Sequence, residues 1–109
     1  MNKIKHLLIA SLFVAAPVFA GGDAGAGKEK SVVCAGCHGV DGNSTININP
    51  ILAGQYKTYL LAALRDYKSG KRKNIVMSGM VAGLTDKDLK DLAAYFAEQK
   101  SNLTTLPQP

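Results

Sequence analysis

A chain of 109 residues has room for one domain, and its formal charge of +5 is too mild for a nucleic-acid binder. Two cysteines and two histidines leave few side chains for metal or redox chemistry.

Lys3 and Lys5 precede a nearly continuous apolar run from Leu7 to Val18, and small residues follow up to Ala20. A basic start, an apolar centre and small residues at the end make 1–20 an expected signal peptide, cleaved after Ala20. The apolar run is shorter than the roughly 20 residues a spanning helix needs, which argues against an uncleaved anchor. Removing twenty residues from 109 leaves 89, residues 21–109, as the expected domain, and removing Lys3 and Lys5 lowers the charge from +5 to +3. Domains this small lean on a metal, a disulfide or a cofactor to complete the core.

Gly21–Gly27 reads as a flexible start, with flexible ends expected at about 21–26 and 102–109. Lys28–Cys37 reads as a helix with Val32 and Val33 inward. It delivers Cys34-Ala35-Gly36-Cys37-His38, the C-x-x-C-H pattern of covalent haem attachment. Two thiols three positions apart on one helical turn can each form a thioether with a vinyl group of one porphyrin. The histidine that follows then falls under the ring with its imidazole toward the iron. Ala35 and Gly36 are small, so the backbone can lie close to the haem edge. A thioredoxin-type dithiol would need a strand leading into the motif, and none is legible. A zinc site would need further Cys or His ligands, but the other histidine, His6, lies in the leader. A plain disulfide is the remaining alternative in an oxidising compartment. Motif, export and small core together favour haem.

Gly39–Gly54, rich in glycine and asparagine and holding Pro50, has no helical period and reads as a long loop wrapped around something. Gln55–Ser69 is the second predicted helix, with Tyr56, Leu60, Leu64 and Tyr67 at helical spacing and Gly70 at the terminating position. Lys68, Lys71, Arg72 and Lys73 crowd its end, either as a solvated turn that offsets the helix dipole or as a patch that orients an acidic partner. Asn74–Gly83, with Met77, Met80 and two glycines, reads as a loop or broken turn. The third helix has Thr85 as cap, Asp88 as its reciprocal partner and Leu84 positioned to staple Leu89, with Leu92, Ala93 and Phe96 continuing the inward face. Thr104–Pro109 is a frayed tail, and no segment alternates with period two, so the expected fold class is all-α.

Taken together, Val33–Gly39, Asp41–Ser44, Pro50–Gln55, Ser69–Arg72, Met77–Met80 and Leu84–Phe96 resemble the class I c-type cytochromes. The likeness is to the small monohaem members and, more closely, to one half of the dihaem cytochromes of the c-four kind, over about Gly27 to Lys100. An attachment motif near the mature N-terminus also separates the chain from the four-helix-bundle cytochromes. The resemblance implies three main helices and long loops around one covalently bound haem c, since there is one C-x-x-C-H.

His38 supplies one axial nitrogen, and an electron shuttle needs a second ligand. A lysine can serve, but a thioether is neutral, soft and favours Fe(II). Spacing does not choose between Met77 and Met80. The resemblance selects Met77, the first methionine of a Met-(Ser/Thr)-Gly-Met stretch, and leaves Met80 as packing. It also assigns the carbonyl of Pro50 as acceptor for the second ring nitrogen of His38. Tyr56, Tyr59 and Tyr67 are expected to pack beside the haem, with a propionate hydrogen bond from one of them as the alternative.

A His/Met-saturated iron implies a periplasmic electron carrier with no substrate chemistry of its own, hence not an enzyme. Its partners would be redox proteins acting as donor and acceptor, with no nucleic acid and no stable membrane insertion after cleavage. A haem subunit of a larger oxidoreductase would use the same residues. A haem enzyme or gas sensor would need an open iron and a distal His or Arg constellation. No second mature histidine exists, and Arg65 and Arg72 read as solvated charge.

Overall fold

The computed structural model describes residues 7–15 and 21–104. The cleavage point expected after Ala20 and the tail beyond Thr104 lie outside the described residues. Residues 7–15 form no regular element, and their large apolar side chains, Leu7, Leu8 and Phe13 among them, are exposed. No helix among the described residues is long and apolar enough to cross a membrane.

Helix α1 spans Ala24–Lys30 and so begins inside the stretch expected to be a flexible start. Gly25 and Gly27 weaken it, but Asp23 caps it by accepting from the backbone N–H groups of Gly25 and Ala26 at 2.9 and 3.3 Å. A 3-10 turn, Ser31–Val33, then leads to a single helical turn, α2, Ala35–His38. The continuous helix expected over Lys28–Cys37 is therefore broken. The tighter turn changes the phase of the side chains, and Val32 and Val33 point outward at 71% and 64% exposure instead of inward.

Helix α3 runs Lys57–Ser69 and stops at Gly70, whose φ of +81° is left-handed, as the sequence predicts. Helix α4, Ile75–Val81, replaces the loop expected there. Asn74 starts it by accepting from the N–H groups of Val76 and Met77, each at 3.0 Å, and Ser78 Oγ donates to Tyr67 O at 3.2 Å to tie it to α3. Helix α5, Asp86–Glu98, carries the expected capping box: Asp88 N donates to Thr85 Oγ1 and Thr85 N to Asp88 Oδ2. Among the described residues there is no strand, so the all-α expectation holds.

Helix α5 organises the core. Leu89, Leu92, Ala93 and Phe96 are buried on it, and Leu60 of α3 joins Leu92, Ala93, Tyr95 and Phe96 in one cluster. Cys34, Leu52 and Leu84 pack against that cluster, which brings the cysteine motif onto the core. On its other side α5 meets α1 at backbone distance. A Cβ at Gly27 would lie 2.0 Å from Asp91 O and 2.8 Å from Tyr95 Cβ, so only glycine allows the crossing. The same crossing buries Asp91, whose side chain is 1% exposed. Its carboxylate accepts from Asp23 N at 2.8 Å, Lys30 Nζ at 2.6 Å and Lys87 Nζ at 2.7 Å. Burial pushes the Asp91 carboxyl upward, but these three donors outweigh it and hold it well below the usual carboxylate range.

Two predictions follow from the crossing. Gly27→Ala should destabilise the protein by about 1–3 kcal/mol through overpacking, read as a lower urea midpoint. Gly83→Ala, where an added Cβ meets nothing within 4 Å, should stay within about 0.5 kcal/mol; equal losses at both positions would deny the close approach.

The second concerns acid. Lys30 and Thr85 hold Asp88 at about 2, Arg65 and Lys90 hold Asp86 at about 2, and Asp91 lies lower, against an ordinary 3.8. A folded value below the unfolded one gives stabilisation that is complete above about pH 4 and fades as pH falls through the folded value. The urea midpoint should therefore drop below pH 4. Asp91→Asn should cost about 1–3 kcal/mol at pH 7 and show a shallower acid limb than the parent; parallel acid limbs would place the lost protons elsewhere.

Candidate functional site

Cys34 sits at the joint between the 3-10 turn and α2, its N–H donating to Ser31 O at 2.9 Å and its carbonyl accepting from His38 N at 2.9 Å. Cys34 is half-buried and Cys37 exposed, both as free thiols. Burial, and then the neighbouring Cys37, push the Cys34 thiol up. A redox dithiol needs the opposite shift, and here a helix and a 3-10 turn precede the motif.

His38 ends α2 and is buried. Its Nδ1 lies 2.8 Å from Pro50 O. A carbonyl can only accept, so Nδ1 carries the proton and the lone pair is left on Nε2, the tautomer a metal ligand needs. The expected pairing of His38 with Pro50 is thus present.

The loop that carries Pro50 is drawn tight around this contact. It reverses at Gly39, whose φ is +83° and where a Cβ would approach Asn43 O to 2.9 Å. Its neck closes where Leu52 N and Ala53 N donate to Gly42 O at 2.8 and 3.2 Å. Tyr95 Oη donates to Val40 O at 2.8 Å, and Gly54 N to Phe96 O at 3.0 Å, so α5 holds both limbs. Ser44 Oγ reaches Cys37 O at 3.2 Å. Sequence reasoning did not find Asn43, whose side chain is buried and binds backbone far along the chain. The local signal was Asp41, which accepts from Asn43 N at 3.0 Å in a side-chain-closed turn.

Met77 sits half-buried on α4, which packs on α3. Met80, on the same helix, is 41% exposed. Tyr56 and Tyr59, expected to pack, face outward at 81% and 50% exposure. Arg72, expected to be solvated, lies 4.9 Å from the Tyr67 ring centroid and donates to Tyr59 Oη at 3.4 Å. Arg65 likewise forks onto both Asp86 oxygens at 2.7 and 2.8 Å. Lys68 Nζ donates to Leu84 O, and Lys68, Lys71 and Lys73 are all exposed.

This donor set fits a covalently attached haem. Two thiols one turn apart stand beside an imidazole with its metal-binding nitrogen free. Among the described residues, outside 7–15 and Leu103, every exposed large apolar side chain falls between Val32 and Met80, the stretch of chain that includes the candidate ligands. That is apolar area a porphyrin face is suited to cover. A zinc reading has no support: among the described residues no three His, Cys, Asp or Glu side chains gather into a metal cluster.

Comparison with known proteins agrees. A family profile described as cytochrome c matches residues 24–100. The chain belongs to the cytochrome c family. It is 47% identical over 103 residues to cytochrome c4 of Pseudomonas aeruginosa, covering 94% of this chain and 51% of that protein. It is 43% identical over 82 residues to cytochrome c-554(548) of Halomonas halodenitrificans, covering 72% of this chain and 99% of that protein. The crystal structure of reduced recombinant cytochrome c4 from Pseudomonas stutzeri superposes with a TM-score of 0.72 at 48% identity, covering 75% of this chain and 48% of that one. The chain spans about half the length of the cytochrome c4 relatives it matches. Its fold is the class I cytochrome c fold, and membership of the cytochrome c family carries with it a covalently bound haem c and its iron.

The attachment is directly measurable. The purified cytochrome should keep its colour through acid-acetone extraction, and its mass should exceed that of the polypeptide by one haem. Cys34→Ala and Cys37→Ala should each lose one thioether and shift the reduced visible spectrum accordingly. A mass equal to the bare chain would sink the assignment.

Proposed function

We propose that this cytochrome is an exported, single-haem electron carrier of the periplasm, with residues 1–20 removed after Ala20 and 21–109 forming the working domain. The observation that carries the reading is the buried His38 imidazole, fixed by Pro50 O at 2.8 Å beside the two thiols. Cys34 and Cys37 would anchor the haem, His38 would take one axial position and Met77 the other. When bound in this way, the haem iron supplies a one-electron Fe(III)/Fe(II) couple.

The residues around it do the rest. The Pro50 carbonyl keeps the His38 ring from rotating and raises its basicity, so the same geometry serves both oxidation states. The thioether of Met77 would favour Fe(II). With the iron held by both His38 and Met77 no position would be left for a substrate, so the protein would exchange electrons with redox partner proteins and catalyse nothing itself. The half-buried placement of Met77 against the more exposed Met80 supports Met77 as the ligand.

Met77→Ala should abolish the weak charge-transfer absorption of a sulfur–iron bond in the ferric form, lower the potential and admit cyanide or carbon monoxide. Met80→Ala should keep the band and cost under about 1 kcal/mol of stability. The reverse pattern would move the ligand role to Met80. A wild-type protein without the band, open to carbon monoxide, would favour the haem enzyme or sensor.

A further inference from the structure

We infer that Asn43, together with the backbone of Lys100–Asn102, is a positioning element for His38, so that the segment after α5 helps set the potential of the haem. The inference rests on the reading of His38 as an iron ligand and goes beyond it.

The geometry is a chain of three closures. His38 Nδ1 donates to Pro50 O at 2.8 Å. Two residues beyond Pro50, Leu52 N donates to Gly42 O at 2.8 Å, and Ala53 N to the same oxygen at 3.2 Å. Asn43, next to Gly42, then fastens this neck to the far end of the chain. Its Nδ2 donates to Lys100 O at 2.9 Å and to Asp41 Oδ2 at 2.9 Å, and its Oδ1 accepts from Asn102 N at 2.7 Å. The side chain is therefore fully used, and it is buried.

The neck has two other fastenings, both to α5: Tyr95 Oη on Val40 O and Gly54 N on Phe96 O. Gly42 leaves no room for the loop to shift inward, since a Cβ there would lie 2.8 Å from Phe96 Cδ1 and 2.9 Å from Ala53 N. Movement outward is opposed by the Asn43 hydrogen bonds and by Tyr95 Oη on Val40 O at 2.8 Å. Without Asn43, the Gly42–Leu52 neck can separate from residues 100–102, and the Pro50 carbonyl is free to drift from Nδ1. An imidazole that donates less well is a weaker base toward iron, which disfavours Fe(III) and raises the midpoint potential.

The experiment uses the haem-loaded protein and three variants: Asn43→Ala, a truncation after Gln99, and the two combined. Solvent exchange of the His38 Nδ1 proton is read by NMR, and the midpoint potential by redox titration. Thr85→Ala, which removes the cap at the N-terminal end of α5, the end away from residues 100–102, serves as the stability control. Asn43→Ala and the truncation should each speed Nδ1 proton exchange and raise the reduced-to-oxidised ratio at fixed poise by about two- to tenfold, or about 20–60 mV for a one-electron couple. The combined variant should add little to either, since both remove the same contact. Thr85→Ala should lower stability and leave the potential unchanged. Loss of stability in Asn43→Ala with unaltered exchange and potential would overturn the inference and leave Asn43 as a fastening of the fold. The ligand reading is tested separately in the wild type, where iron-bound His38 ring protons must appear far outside the diamagnetic range.

Discussion

The contact on which the rest of this protein depends is the approach of α1 to α5 at Gly27. Helix α5 supplies most of the buried core, yet a single helix with so many apolar residues needs cover on more than one side. Leu60 of α3 gives one side, and α1 the other. Because Gly27 has no side chain, the two backbones come close enough for Asp91 to reach Asp23 N and Lys30 at once. The crossing then fixes where α1 ends, where the 3-10 turn begins and so where Cys34 and His38 stand. Tyr95, which lines the crossing, and Phe96 beside it are thereby placed to hold the loop that brings Pro50 to His38.

That dependence explains what the sequence could and could not reveal. The capping box of α5, its inward face and the left-handed Gly70 were legible because each is decided within a few residues. Helix α1 was not. Two glycines among Ala24–Gly27 mask the helical preference of the alanines, and the segment is helical because Asp23 caps it and α5 receives it. Helix α4 failed for the same reason: its glycine suggested a loop, while Asn74 and the bond from Ser78 to Tyr67 decide otherwise. Val32 and Val33 were misplaced because a 3-10 turn does not keep the α-helical phase.

At the site, the motif declared the thiols and the histidine through spacing alone, and resemblance supplied the Pro50 partner. Asn43 gave no comparable signal. Its partners lie 57 and 59 residues away, and nothing local marks an asparagine as a long-range fastening. The arginines were missed for a different reason. Surface charge defaults to solvation, whereas Arg65 forks onto Asp86 of α5, and Arg72 meets the Tyr67 ring and the Tyr59 hydroxyl of α3.

The arrangement also divides its interactions by kind. Between α1 and α5 the fastening is ionic, with Lys30, Lys87, Asp88 and Asp91 in one network around a buried carboxylate. Around His38 it is made mainly of hydrogen bonds to backbone carbonyls, Pro50 O, Gly42 O, Val40 O and Lys100 O, and the one carboxylate, Asp41, enters through Asn43 and not through the imidazole. The difference suits an electron-transfer site. A carboxylate beside the ligand would stabilise the oxidised charge and respond to acid, whereas a backbone carbonyl has no titration and its dipole is fixed by the chain. The loop from Gly39 to Gly54 is long because it must present several such carbonyls in a small space without a strand or helix to align them. Its length is then part of the ligand's support, and shortening it would remove not an idle connection but the frame that holds the imidazole.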